Sequence, residues 1–130
     1  MGQQQLLLII LGVIIVGIAI AVGISMFSSS SIQANKDAII NDLNNLAANS
    51  YQFRIRPTTM GGGGGSYTGY AIPTKMLSND NATYSIVANT GALITLKGTS
   101  SQNTTNSVQA QWDSTGAVVS GSFTYAGDFQ

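Results

Sequence analysis

The sequence predicts an α+β protein in which a long N-terminal α-helix packs on a small four-stranded antiparallel β-sheet. Two observations support this fold class. An uncharged apolar run opens the chain and passes into a segment with one apolar stripe, and a period-two pattern follows in the second half. We expect three segments: an apolar transmembrane helix over 1–27, its amphipathic continuation over 28–56, and a glycine-rich loop with a β head domain over 57–130.

The run from Leu6 to Phe27 has the length and composition of a membrane-spanning helix. It reads LLLIILGVIIVGIAIAVGISMF, with 18 apolar residues among 22 and no charge, and about 20 such residues span a hydrocarbon core. Apolar residues occupy every face, so the helix requires lipid or other apolar helices around it. A cleaved signal peptide is the alternative. It is disfavoured because no Lys or Arg precedes the run and no A-x-A-like site follows it.

The segment after Phe27 predicts a continuation of the same helix with one apolar stripe. No Gly or Pro interrupts the chain between Ile24 and Pro57. The alternative is a bend at Ser28 to Ser31, which are poor helix formers. The apolar stripe forms one face of the helix, and Asn, Asp and Lys occupy the other positions. This pattern indicates that the apolar face packs against the sheet. The residues that we expect to pack on the sheet are Ile32, Ile39, Leu43, Leu46 and Phe53.

Alternating side chains predict two β-hairpins in the second half of the chain. The first pairs residues 84–88 with 92–96 across Asn89-Thr-Gly. The second pairs residues 108–112 with 117–125 across Asp113-Ser-Thr-Gly. The four strands would present one apolar face, and the helical stripe is the layer available to cover it.

Two segments lack apolar alternation and predict surface loops that are not required for folding, residues 57–69 and 98–106. The first contains five consecutive glycines, Gly61 to Gly65. A phosphate-binding loop would need a preceding strand and a following Lys-Ser or Lys-Thr, and neither is present. A flexible connector is therefore the favoured interpretation.

Composition argues against several classes of function. Five Lys and Arg balance five Asp and Glu, and charged residues form 8% of the chain against roughly 25% in ordinary domains. The chain therefore lacks the excess of basic residues that is typical of a nucleic-acid-binding protein. The chain contains no His and no Cys. Because these residues supply most zinc ligands, thiol nucleophiles and general bases, we identify no catalytic, cofactor-binding or metal-binding residue and expect no enzyme and no cofactor. Asn81 and Asn103 match N-glycosylation sequons and are candidate acceptors.

This order of elements resembles type IV pilins and the related pseudopilins. The resemblance covers most of the chain in element order and hydropathy pattern. Family members carry a short basic leader ending in Gly, then an apolar run with glutamate as the fifth mature residue. Here the fifth residue is Gln5 counted from Met1, or Leu7 counted after Gly2. The chain is therefore similar to a divergent subunit without the basic leader and the glutamate.

The resemblance implies the major subunit of an extracellular pilus-like filament, stored in the inner membrane before assembly. Its partners would be further copies of itself, membrane lipid and a pilus assembly machinery. The alternatives are a monomeric surface binding protein with a single membrane anchor and a minor pseudopilin of a secretion system. Residues expected in the filament core are Gln3, Gln4, Gln5, Leu8, Leu11, Gly12, Ile15, Gly17, Ile18, Val22 and Gly23. The role of the filament, whether adhesion, motility, DNA uptake or secretion, is left open.

Overall fold

The computed structural model describes residues 2–130, and its elements confirm the predicted α+β class. Helix α1 covers Gly2–Ile55, and strands β1 to β4 cover Ala82–Asn89, Ile94–Ser100, Ser107–Trp112 and Thr124–Ala126. The strands form one antiparallel sheet in the order β1-β2-β3-β4. Short 3-10 turns occupy Thr58–Met60, Thr74–Met76 and Gly127–Phe129. The chain divides into two units at Gln33 and Ala34.

The described residues of the first unit are helical throughout. The α-helix continues through Ser28 to Ser31 without a break. Serine is a weak helix former rather than a helix breaker, and the flanking residues favour the helix. Ile32, expected to pack on the sheet, belongs to this unit and is half-exposed.

The core of the second unit joins one face of α1 to one face of the sheet. Ile39, Leu43, Leu46 and Ala47 are buried and recur at the three- and four-residue spacing of a single helix face. Full burial of such a side chain contributes about 1.5–3 kcal/mol. The buried apolar residues of the sheet are Ala82, Tyr84, Ile94, Leu96, Val108, Ala110 and Trp112.

The predicted loop over 98–106 begins too early. Gly98 lies within β2, pairs with Tyr84 and Val108, and is buried. A Cβ at Gly98 would lie 2.6 Å from Ile39 Cγ2 and 2.9 Å from Tyr84 Cε1. A glycine is required there because helix and strand approach closely. The loop consists of residues 101–106.

The predicted strand over 117–125 is also wrong in extent. Only Thr124–Ala126 forms β4, and Val118 makes a single bridge to Trp112. Between them the chain turns: Gly121 adopts φ 73°, and the Ser122 N–H donates to the Val119 carbonyl at 3.1 Å. Ser122 Oγ also accepts the Gln111 N–H at 3.1 Å. A side chain thereby replaces one ladder hydrogen bond.

The glycine run is an ordered cap on α1, which corrects the flexible-connector interpretation. The N–H groups of Gly63, Gly64 and Gly65 donate to the carbonyls of Phe53, Arg56 and Arg54 at 2.8, 3.0 and 2.6 Å. The last carbonyls of a helix otherwise lack partners, so the loop satisfies them. Tyr67, within the segment predicted to be dispensable, is fully buried, and its hydroxyl donates to the Asp113 carbonyl at 2.6 Å.

Candidate functional site

The apolar surface of α1 between Leu6 and Phe27 is the first candidate functional feature. Its large apolar side chains are all exposed, from 52% at Val22 to 76% at Phe27. A Cβ built at Gly12, Gly17 or Gly23 would meet nothing within 4 Å. No described residue therefore covers this surface.

Helix α1 is long and apolar enough to cross a membrane, judged by length and composition alone. The first charged residue after Gly2 is Lys36. A helix of about 20 residues spans the hydrocarbon core, so residues 6–27 are long enough to cross it. The structure supports the coarse prediction of a candidate membrane anchor.

The residues predicted for a filament core lie on this exposed part of α1 or, for the three glutamines, just before it. Leu8, Leu11, Ile15, Ile18 and Val22 follow the three–four spacing that places side chains on one helix face. Further apolar residues, such as Ile10 and Ile14, are equally exposed on other faces. The remaining members of the set are also exposed: Gln3, Gln4, Gln5, Gly12, Gly17 and Gly23.

Four of the five predicted sheet-packing residues lie in the second unit, and they fall into two groups. Ile39, Leu43 and Leu46 are at most 1% exposed. Phe53 is half-exposed and contacts the Tyr70 ring at a centroid distance of 5.5 Å and an interplanar angle of 58°. Its ring thus packs beside the glycine cap and Tyr70, rather than deep in the core.

The glycine run has no backbone donors left for a phosphate. Gly61 and Gly62 donate to Thr58 and Pro57 at 3.0 and 3.1 Å, and the next three glycines donate to the end of α1. A phosphate-binding loop instead directs several N–H groups at its ligand. All five glycine N–H groups therefore donate to carbonyls of the chain itself.

A polar network centred on Asp42 connects α1 to the segment entering β1. The Asp42 carboxylate accepts hydrogen bonds from the Tyr84 hydroxyl, from Asn79 Nδ2 at 2.9 Å and from Asn81 Nδ2 at 3.4 Å. Lys75 and Met76 help to line an adjacent cavity of about 140 Å³. Burial and the hydrogen bond to Asp42 raise the pKa of Tyr84, so its hydroxyl keeps its proton further into the alkaline range than a free tyrosine does.

This network has the character of a structural clamp. A single carboxylate meets three donors, which come from β1 and from the segment that enters it. Charge-assisted hydrogen bonds to a carboxylate are stronger than neutral ones. Sequence reasoning missed this network, although Asp42 next to the apolar stripe and the polar run Asn79-Asp-Asn before a strand were both visible.

A second polar link joins α1 to the β2 end. Ser100 Oγ donates to Asn35 Oδ1 at 2.6 Å, and Asn35 Nδ2 donates to the Asn81 carbonyl at 3.2 Å. Asn35 and Ser100 are 6% and 1% exposed. Because buried amides require partners, this pair fixes the position of the helix against the sheet.

Comparisons with protein families, curated proteins and solved structures returned no match for this chain.

Proposed function

We propose that the chain is the major structural subunit of an extracellular type IV pilus-like filament and polymerises through its apolar N-terminal helix. The supporting observation is the exposure of every large apolar side chain in the uncharged stretch from Leu6 to Phe27. Such a surface is incompatible with water. Its partner must be lipid, or further helices of the same kind.

Lipid would surround the apolar helix before filament assembly, and neighbouring helices would surround it afterwards. Lipid tails are as apolar as leucine side chains, so exchanging lipid for neighbouring helices depends on packing rather than on hydrophobicity. No charge between Gly2 and Asn35 has to be neutralised during that exchange. Under this proposal the subunit is held in the inner membrane and then enters the filament, with an assembly machinery driving the transfer.

Electron microscopy of sheared cell-surface material tests the proposal. Antibodies against residues 34–130 should label abundant filaments along their whole length. Ile15→Lys should abolish them, because a lysine at the centre of a membrane helix costs about 2.5–3.5 kcal/mol on insertion and more in a packed apolar core. Asn44→Lys is the matched control, since Asn44 is an exposed polar position on the same helix.

A second variant separates filament formation from membrane anchoring. Gly17→Leu keeps the helix apolar, and the isolated subunit has room for the side chain. The variant should remain in the membrane yet yield fewer filaments, because small residues allow helices to approach closely. Normal filaments with Ile15→Lys, or a native protein found only as a membrane monomer, would favour the anchored binding domain. Labelling restricted to rare filament positions would favour the minor pseudopilin.

A further inference from the structure

The two N-glycosylation sequons of the chain have opposite structural settings. Asn103 lies in the hairpin loop over 101–106, whereas Asn81 immediately precedes β1. Residues 101–105 are all exposed, while Asn81 is half-buried. Because each sequon has the same Asn-x-Thr chemistry, the fold alone distinguishes them.

The Asn103 side chain is held with its acceptor oxygen turned towards the loop. Its Oδ1 accepts the Thr105 N–H at 3.1 Å and the Thr105 hydroxyl at 2.8 Å. The Asn103 carbonyl also accepts the Asn106 N–H at 2.9 Å, closing a turn. Among the described residues, no protein atom accepts a hydrogen bond from Asn103 Nδ2. The nitrogen that would be modified is therefore accessible.

The Asn81 side chain is fixed by its neighbours. Its Nδ2 donates to Asp42, and the Asn81 backbone carbonyl accepts hydrogen bonds from Asn35 Nδ2 and the Ser101 N–H. The threonine of this sequon, Thr83, lies within β1 and pairs with Thr99. To present this sequon as a free extended peptide, the start of β1 must detach from the sheet. Such local unfolding costs free energy that the loop at Asn103 does not require.

We infer that Asn103 is an N-glycosylation acceptor of the folded protein and that Asn81 is shielded. The co-substrate is an oligosaccharide linked to a polyprenyl pyrophosphate. A bond forms between Asn103 Nδ2 and the anomeric carbon, and the bond from that carbon to the pyrophosphate oxygen breaks. The lipid pyrophosphate leaves with the electron pair, and the proton lost from Nδ2 passes to a base of the transferase. The added glycan is bulky and hydrophilic, which the exposed loop accommodates.

Purified full-length protein in detergent, incubated with an oligosaccharyltransferase that requires only Asn-x-Thr and with a lipid-linked oligosaccharide, tests this inference. Peptide mass spectrometry should find the glycan on Asn103, with Asn81 modified at least about tenfold more slowly. Synthetic peptides covering 76–86 and 98–108 measure both sequons without the fold and should lose this difference. Asn103→Gln and Thr105→Ala should each abolish modification at Asn103, whereas Asn81→Gln should leave it unchanged.

Two outcomes would overturn the inference. One is a folded protein that carries no glycan on Asn103, whether or not the 98–108 peptide is modified. The other is modification of Asn81 in the folded protein at the rate of Asn103. The reaction uses dispersed subunits, so neither result depends on the proposed filament, and failure of the filament proposal would leave this test unaffected.

Discussion

Two stretches of α1 are both rich in apolar residues, yet only one is buried by its own chain. Between Ile39 and Ala47, one stripe is buried, and the intervening positions are polar apart from the half-buried Ile40. Between Leu6 and Phe27, apolar side chains occupy every face and all are exposed. The same helix is thus covered by its own chain in one stretch and by no described residue in the other.

The largest expected effect comes from removing a core side chain in the buried stretch. Leu43 is 0% exposed, so Leu43→Ala should lower the free energy of unfolding by about 2–5 kcal/mol through lost burial and a cavity. Leu11→Ala is the matched control and should change it by less than about 0.5 kcal/mol. Denaturant unfolding in detergent measures both. If both variants lowered the free energy of unfolding equally, the two stretches would not differ in burial as described.

The glycine cap covers the C-terminal end of α1, which follows the buried stretch. A Cβ at Gly63 would collide with the Ser66 carbonyl oxygen and lie 3.0 Å from Phe53 Cε1. Gly63→Ala should therefore destabilise the domain by about 1–3 kcal/mol. Gly91→Ala is the control, because its nearest contact would be Ser66 Oγ at 3.7 Å. Thermal unfolding that is unchanged in Gly63→Ala would restore the flexible-connector interpretation.

Alkaline pH should weaken the buried stretch selectively. Burial raises the pKa of Tyr70 to about 12 and also raises the pKa values of Tyr84 and Tyr67. The folded state thus retains protons that the unfolded state releases near pH 10, so this stabilisation is complete below about pH 10 and declines towards about pH 12. The free energy of unfolding should fall by about 1–2 kcal/mol over this range, on the scale of about 1.4 kcal/mol for each pKa unit. Circular dichroism and phenolate absorbance follow it, and ionisation of all tyrosines near pH 10 with the fold intact would contradict it.

The smallest effect is expected in the glutamines that precede the exposed stretch. We predict that Gln3, Gln4 and Gln5 form a neutral hydrogen-bonding belt between helices in the filament. Interhelical hydrogen bonds in apolar surroundings contribute about 0.6 kcal/mol each. Replacing all three by Ala should therefore lower filament yield and melting temperature modestly without changing the head domain. If filament yield and melting stay unchanged, the glutamines are only a solvated flank.

The sequence predicted those features that depend on side-chain periodicity. The stripe through Ile39, Leu43 and Leu46 and the alternation of Val108, Ala110 and Trp112 mark the two buried faces, because helix and strand repeats differ. Gly98 falls in the predicted loop because residues 98–106 lack apolar alternation, whereas its role depends on the close approach of Ile39 and Tyr84. The Asp42 network was also missed, since its donors lie 37 to 42 residues away.

The sheet order β1-β2-β3-β4 has a consequence for how the chain folds. Each strand pairs with its neighbour in sequence, so the sheet can form through short loop closures. Attaching α1 closes much longer loops, since Asn35 meets Asn81 and Ser100 across 46 and 65 residues. Longer loops cost more entropy before any contact is gained. We expect a meander that forms early, followed by a slower docking step in which Asn35, Asp42 and the apolar stripe complete the core.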